Sequence, residues 1–145
     1  MLQIKVAKEQ DFQAVRDMYH QVIDRMADSE TGPRWKRGIH PSEEFILTSI
    51  KNQELYAVIM DGACAGAMVL NHECDENYDN VAWLAEASEC EFTIVHILGT
   101  LPTCHRKGIG KYMLREAIRI SREREQKAIR LDVLGKHRLG RFSAL

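Results

Sequence analysis

Lysine and arginine are absent from residues 52–105 of this 145-residue chain. No apolar run approaches the roughly 18–20 residues that a helix needs to cross a bilayer, so no membrane partner is expected. The opening Met1-Leu2-Gln3-Ile4-Lys5-Val6 alternates like a strand and lacks the apolar core of a signal peptide; a cytoplasmic protein is expected. Cysteine is scarce. Cys64, Cys74, Cys90 and Cys104 include no Cys-x-x-Cys pair and fit free thiols in a chain too large to need covalent staples. His72, Cys74 and Cys90 are the nearest approach to a ligand set, and without such a pair no metal is expected. No internal repeat, low-complexity segment or linker interrupts the chain, which reads as one domain over 1–145.

What is present is segregated charge. The net value of −1 hides nine acids and no base over 52–105, then twelve bases against four acids over 106–145. The basic part suits a phosphate-rich ligand and the acidic part a cationic one. A nucleic-acid partner is not expected: the bases gather around a glycine loop, and exposed aromatics on which bases could stack are few.

Periodicity orders the elements. Leu2 to Val6 reads as a strand, and Phe12, Val15, Met18, Tyr19, Val22, Ile23 and Met26 recur at helical spacing within about Glu9 to Asp28. Ser29 to His40 is a loop. Pro41 suits the first turn of a second helix that carries Phe45, Ile46 and Ile50 and stops near Asn52. Leu55–Met60 and Ala63–Leu70 form a hairpin about Asp61-Gly62. A polar, acidic stretch, Asn71 to Glu89, precedes the strongest strand signal, Glu91 to Gly99. A tight segment then enters a helix from about Gly108 to Arg124, whose buried stripe is Ile109, Met113, Leu114, Ala117 and Ile118. Ala128–Leu134 reads as a buried strand and 135–145 as a short basic tail. The expected class is α/β (α+β): a mixed, mostly antiparallel sheet with helices on both faces.

The chemistry lies in Leu98-Gly-Thr-Leu-Pro-Thr-Cys-His-Arg-Lys-Gly-Ile-Gly-Lys111. Gly108 and Gly110 stand between a strand and a helix N-terminus, with Arg106, Lys107 and Lys111 alongside. A helix N-terminus offers unpaired N–H groups and partial positive charge, and glycines let an anion approach the backbone. The pattern points to a diphosphate. It is not a nucleotide-triphosphatase loop, because His105 and Tyr112 stand where a Gly and a Ser or Thr are needed. Nor is it a dinucleotide fingerprint, since Met113 replaces the third glycine.

This segment resembles the acetyl-CoA signature of the GNAT superfamily of N-acetyltransferases: strand, often a proline, then Arg/Gln-x-x-Gly-x-Gly/Ala opening a helix. Pro102, Lys107, Gly108, Ile109, Gly110, Leu114 and Ile118 fall where the pattern wants them, and the order of elements agrees to about residue 134. Trp35 with His40-Pro41, Asp61-Gly62 with Gly66, and Arg130-Leu131-Asp132-Val133 extend the likeness.

The resemblance implies acetyl-CoA as co-substrate, held by Leu98, Gly99 and Thr100 along the pantetheine arm and by His105, Arg106, Lys107, Gly108, Ile109, Gly110 and Lys111 around the pyrophosphate. It implies direct attack by a deprotonated amine of a small molecule or peptide, with no covalent enzyme intermediate. His96 stands where arylalkylamine members carry a histidine and is the candidate base; Glu91 is the second candidate. Trp35 and Trp83 fall in segments that line the acceptor side, where an aromatic can stack on a cation.

Two departures stand out. The Arg/Gln position is His105. The family's C-terminal Asn-x-x-Ala-x-x-x-Tyr helix, whose Tyr often protonates the leaving thiolate, is replaced by 137–144, with Ala144 at the Tyr position. The last strands are expected to be missing and a sheet edge left bare, for which a homodimer is one cover. The alternative function is a CoA-binding member without efficient turnover.

Overall fold

The computed structural model describes residues 2–26, 41–71, 92–104, 107–126, 128–134 and 139–144. Strand β1 (Leu2–Val6) is followed by a 3-10 turn at Glu9–Asp11 and helix α1 (Phe12–Met26). Asp11 fixes this entry. Its carboxylate accepts from the Lys8 amide at 2.8 Å and pairs with Lys5 Nζ at 3.0 Å. The Lys8 amide, and then Lys5, hold its pKa below the usual carboxylate value. Helix α2 (Glu43–Lys51) starts two residues after Pro41. Ser42 is the N-cap, with Oγ accepting from Phe45 N–H at 3.0 Å, so Pro41 lies outside the helix rather than in its first turn.

Strands β2 (Leu55–Met60) and β3 (Ala63–Asn71) meet through Asp61 and Gly62, both with positive φ, as a two-residue hairpin turn requires. Strand β4 (Phe92–Thr100), a 3-10 turn at Pro102–Cys104, helix α3 (Ile109–Glu123) and strand β5 (Ala128–Leu134) make a right-hand-favoured β-α-β unit. The six strands lie in the order β1-β2-β3-β4-β5-β6, and only β4 and β5 run parallel. Helices cover both faces. Val15, Met18 and Tyr19 of α1 and Ile46 and Ile50 of α2 pack with Leu55, Ala57, Ala67 and Val69. On the other face Ile109, Met113, Ala117 and Ile120 of α3 pack with Tyr56, Val58, Ala65, Met68, Leu70 and Val95. Successive residues of β2 and β3 thus serve opposite cores, which explains their continuous apolar runs. Each large side chain buried this way contributes about 1.5–3 kcal/mol.

Two expectations need correction. The buried stripe of α3 includes Ile120, whereas Leu114 and Ile118 are only half-buried. Residues Leu139–Ala144, expected as tail, form strand β6, antiparallel to β5 from Ile129↔Ala144 to Leu134↔Leu139. Gly140 and Arg141 hide the strand when the segment is read alone; the unpaired backbone groups on the outer side of β5 supply the reason for it. That side of β5 is therefore paired within the chain. Strand β6, and not β5, is the last strand of the sheet on that side.

Candidate functional site

Pairing between β4 and β5 begins at Phe92↔Ala128 and ends at Val95↔Leu131. Beyond Val95 the two strands share no register, although β4 continues to Thr100 and β5 to Leu134. The sheet forks there. On its other side β4 stays attached to β3 through Val69↔His96, Ala67↔Gly99 and Gly66↔Thr100. Leu101 N–H donates to the Ala65 carbonyl at 2.8 Å. Because backbone groups alternate sides along a strand, Leu98 and Thr100 turn theirs away from β3, into the fork. An extended ligand chain can add there as a strand would.

A bulge shapes the same stretch. Ile97 and Leu98 oppose the single residue Met68, and Ile97 adopts a φ of 43°. Positive φ is costly for a β-branched residue, about 1–3 kcal/mol. Tyr19 anchors it: the buried Tyr19 hydroxyl donates to the Ile97 carbonyl at 2.7 Å. Burial pushes the pKa of this phenol well above its ordinary value, so the hydroxyl stays a donor. The bulge also leaves His96 and Ile97 on the α1/α2 side. His96 Nε2 lies 2.7 Å from Asn71 Oδ1, and its ring meets Phe45 of α2 edge-on, centroids 6.4 Å apart.

Helix α3 begins beside the fork. Gly108 is its N-cap with φ 76°, a conformation that glycine adopts without strain. Tyr112 N–H donates to the Gly108 carbonyl at 2.9 Å, so the amides of Ile109, Gly110 and Lys111 precede the helical ladder. A Cβ built on Gly110 meets nothing within 4 Å, leaving room for a ligand at that turn. Lys107 and Lys111 are exposed on either side. The first turn is pressed onto the sheet at Gly66, where a Cβ would come 2.9 Å from Met113 Sδ, 3.0 Å from the Gly99 carbonyl and 3.3 Å from Ile109 Cγ2. These residues suit a CoA molecule: a polar strand edge for the amide-bearing arm, then backbone donors and lysines for its diphosphate.

The structure thus brings together His96, Leu98, Gly99, Thr100, Lys107, Gly108, Ile109, Gly110 and Lys111 around one fork. Glu91, His105, Arg106, Trp35 and Trp83 lie outside the described residues, as do His72, Cys74 and Cys90. Among the described residues, no group of three or more His, Cys, Asp or Glu could hold a metal, and no helix is long and apolar enough to cross a membrane. Sequence reasoning passed over Asn71, Tyr19 and the Ile97 bulge. The one available signal was a polar residue closing the apolar run Met68-Val69-Leu70-Asn71.

The model of the acetyltransferase (GNAT) family matches residues 19–138. A search of curated proteins finds no match. Solved structures share the fold. A protein of Staphylococcus aureus Mu50 described as an acetyltransferase superposes with a TM-score of 0.70 at 17% identity, over 91% of this chain and 80% of that one. The PaiA N-acetyltransferase of Thermoplasma acidophilum, in complex with coenzyme A, gives 0.63 at 18% identity, over 92% and 79%. A GNAT acetyltransferase of Brucella melitensis in complex with acetyl-CoA gives 0.61 at 14% identity, over 90% and 75%.

Proposed function

The chain belongs to the GNAT family of acetyltransferases and is an acyltransferase, and on that premise we propose that it transfers the acetyl group of acetyl-CoA to a primary amine. The observation that carries this reading is the fork beyond Val95↔Leu131, open beside the N-terminus of α3. In it, the backbone of Leu98 and Thr100 binds the pantetheine arm, with Gly99 between them. The amides of Ile109, Gly110 and Lys111, with Lys107, bind the pyrophosphate. Arg106 and His105 belong to the same loop by their place in the sequence. Bound there, acetyl-CoA supplies an activated thioester.

His96 stands at the first position of β4 past the last β5 pair and serves as the base. It takes one proton from the acceptor's ammonium. The freed nitrogen attacks the thioester carbon, the C–N bond forms as the C–S bond breaks, and the nitrogen's second proton leaves with the sulfur. Glu91, one residue before β4, is the second candidate for this proton. The acceptor is cationic in this reading, because the stretch 52–105 carries nine acids and no lysine or arginine. Trp35 and Trp83 are its candidate stacking surfaces, with cation–π contacts worth about 0.5–2 kcal/mol.

Titration calorimetry of acetyl-CoA at two salt concentrations tests the binding half. Micromolar, salt-sensitive affinity is expected; a folded sample that binds nothing defeats the proposal. For the chemical half, His96→Gln should lower kcat about 10²–10⁴-fold with little change in the affinity for acetyl-CoA. Binding without turnover toward any of a panel of polyamines, amino acids and peptide N-termini would favour a CoA-binding member that has lost catalysis.

A further inference from the structure

A buried amide faces the proposed base. Asn71 is the last residue of β3 and only 4% exposed, in a position where an amide needs hydrogen-bond partners. It pairs in register with Ile94, while His96 pairs with Val69. Asn71 and His96 are therefore diagonal neighbours on one face of the β3–β4 ladder, the face covered by α1 and α2. The 2.7 Å contact joins His96 Nε2 to the amide oxygen. An amide oxygen can only accept, so the ring must donate from Nε2. The neutral imidazole then carries its lone pair on Nδ1. Phe45, with its ring at 73° to the imidazole plane, packs against the same side chain and limits how it can turn.

We infer that Asn71 is a positioning residue that holds His96 as the Nε2–H tautomer and so reserves Nδ1 for the acceptor's proton. This rests on the reading of His96 as the base. An amide suits the task because its contact survives the reaction: when Nδ1 gains a proton, Nε2 still donates to the same oxygen, now as a charge-assisted bond. A ring anchored through Nδ1 would instead offer Nε2. The tautomer, and with it the end of the ring that works, is set from β3 by the residue that ends the strand.

The test is ¹⁵N NMR of the histidine ring nitrogens in the whole chain, joined to steady-state kinetics with an amine that turns over. In the native protein the neutral His96 ring should show a protonated Nε2 and an unprotonated Nδ1; the opposite tautomer overturns the inference without any substitution. Asn71→Leu should release the tautomer into a mixture and cut kcat about 10-fold or more, leaving KM for acetyl-CoA within about 2-fold. Asn71→Asp keeps an acceptor oxygen and should restore the Nε2–H signature. If His96→Gln abolishes turnover while Asn71→Leu scrambles the tautomer with kcat unchanged, the base reading stands and the positioning role falls. If His96→Gln leaves kcat unchanged, the base reading itself has failed, and the role reserved for Nδ1 goes with it. An Asn71→Leu protein that unfolds leaves the native spectrum and the Asn71→Asp variant to decide.

Discussion

The two halves of the sheet are built to different rules. From β1 to β3 every strand is antiparallel to its neighbour, and pairing spans each strand: Leu2↔Met60 to Val6↔Tyr56, then Leu55↔Val69 to Met60↔Ala63 with one register shift between Val58 and Ile59. From β4 to β5 the pairing is parallel and stops at Val95↔Leu131, midway along β4. In the first half β2 and β3 are paired on both sides and bury residues against both helical layers, with β1 as the edge strand. The second leaves backbone donors and acceptors at Leu98 and Thr100 directed into a gap. A ligand that binds as a strand needs such unpaired groups, and the proposed co-substrate site lies where the pairing of β4 with β5 stops.

The comparison predicts which substitutions separate binding from folding. The largest effect belongs to Gly110→Glu. Its Cβ meets open space, so the fold should survive, yet a carboxylate would occupy the anion's place at the N-terminus of α3. Acetyl-CoA affinity should fall by about 100-fold or more, equivalent to about 2.8 kcal/mol, with the thermal midpoint unchanged within a few degrees. Calorimetry with parallel melting curves decides this, and retained affinity removes the pyrophosphate assignment.

Gly66→Ala crosses the boundary between the halves. The added methyl collides with the Gly99 carbonyl, which is backbone, and with Met113 Sδ, which can yield. Urea titration should show a loss of about 1–3 kcal/mol, and acetyl-CoA binding should weaken as the first turn of α3 is lifted. Unchanged stability would mean that the helix is not held at that contact.

Tyr19→Phe probes the bulge from the closed half. It removes the hydroxyl that satisfies the buried Ile97 carbonyl, at a cost of about 1–3 kcal/mol. Amide exchange should quicken at residues 96–98 and stay slow in β2. Equal quickening in both halves would show that Tyr19 supports the core generally and not the bulge.

The smallest effect is at Cys64, in the closed half, whose thiol is pushed up to about 11 by burial. Alkylation should be slow at neutral pH and climb until about pH 11. The sign for stability follows: the folded state holds this proton more tightly than the unfolded one. Its contribution is therefore complete below about pH 9 and is lost as pH rises toward about 11. A Cys64→Ser comparison across that window isolates it, and fast alkylation at pH 7 would contradict the burial.

Much of this was legible beforehand because it depends on neighbours in sequence. The α1 stripe from Phe12 to Met26, the Asp61-Gly62 hairpin and the Gly108 start of α3 follow from periodicity, turn chemistry and glycine spacing, and each appears within a residue or two of where it was expected. Single residues were harder. Tyr19 read as one more apolar position on α1, although its hydroxyl reaches Ile97 at a separation of 78 residues. Asn71 read as the start of a polar stretch, because its partner His96 lies 25 residues away.

By itself, then, the amino-acid sequence determined the first five strands, the three helices, their order and the glycine-marked loop at the head of α3, since these depend on interactions within a few residues. Tertiary structure alone decided where β4 leaves β5, that Ile97 takes a left-handed conformation, that Asn71 lies against one nitrogen of His96, and that residues Leu139–Ala144 join the sheet. Each of those depends on hydrogen bonds between strands or helices distant in sequence. A backbone group's partner across a sheet leaves no local pattern in the chain that carries it.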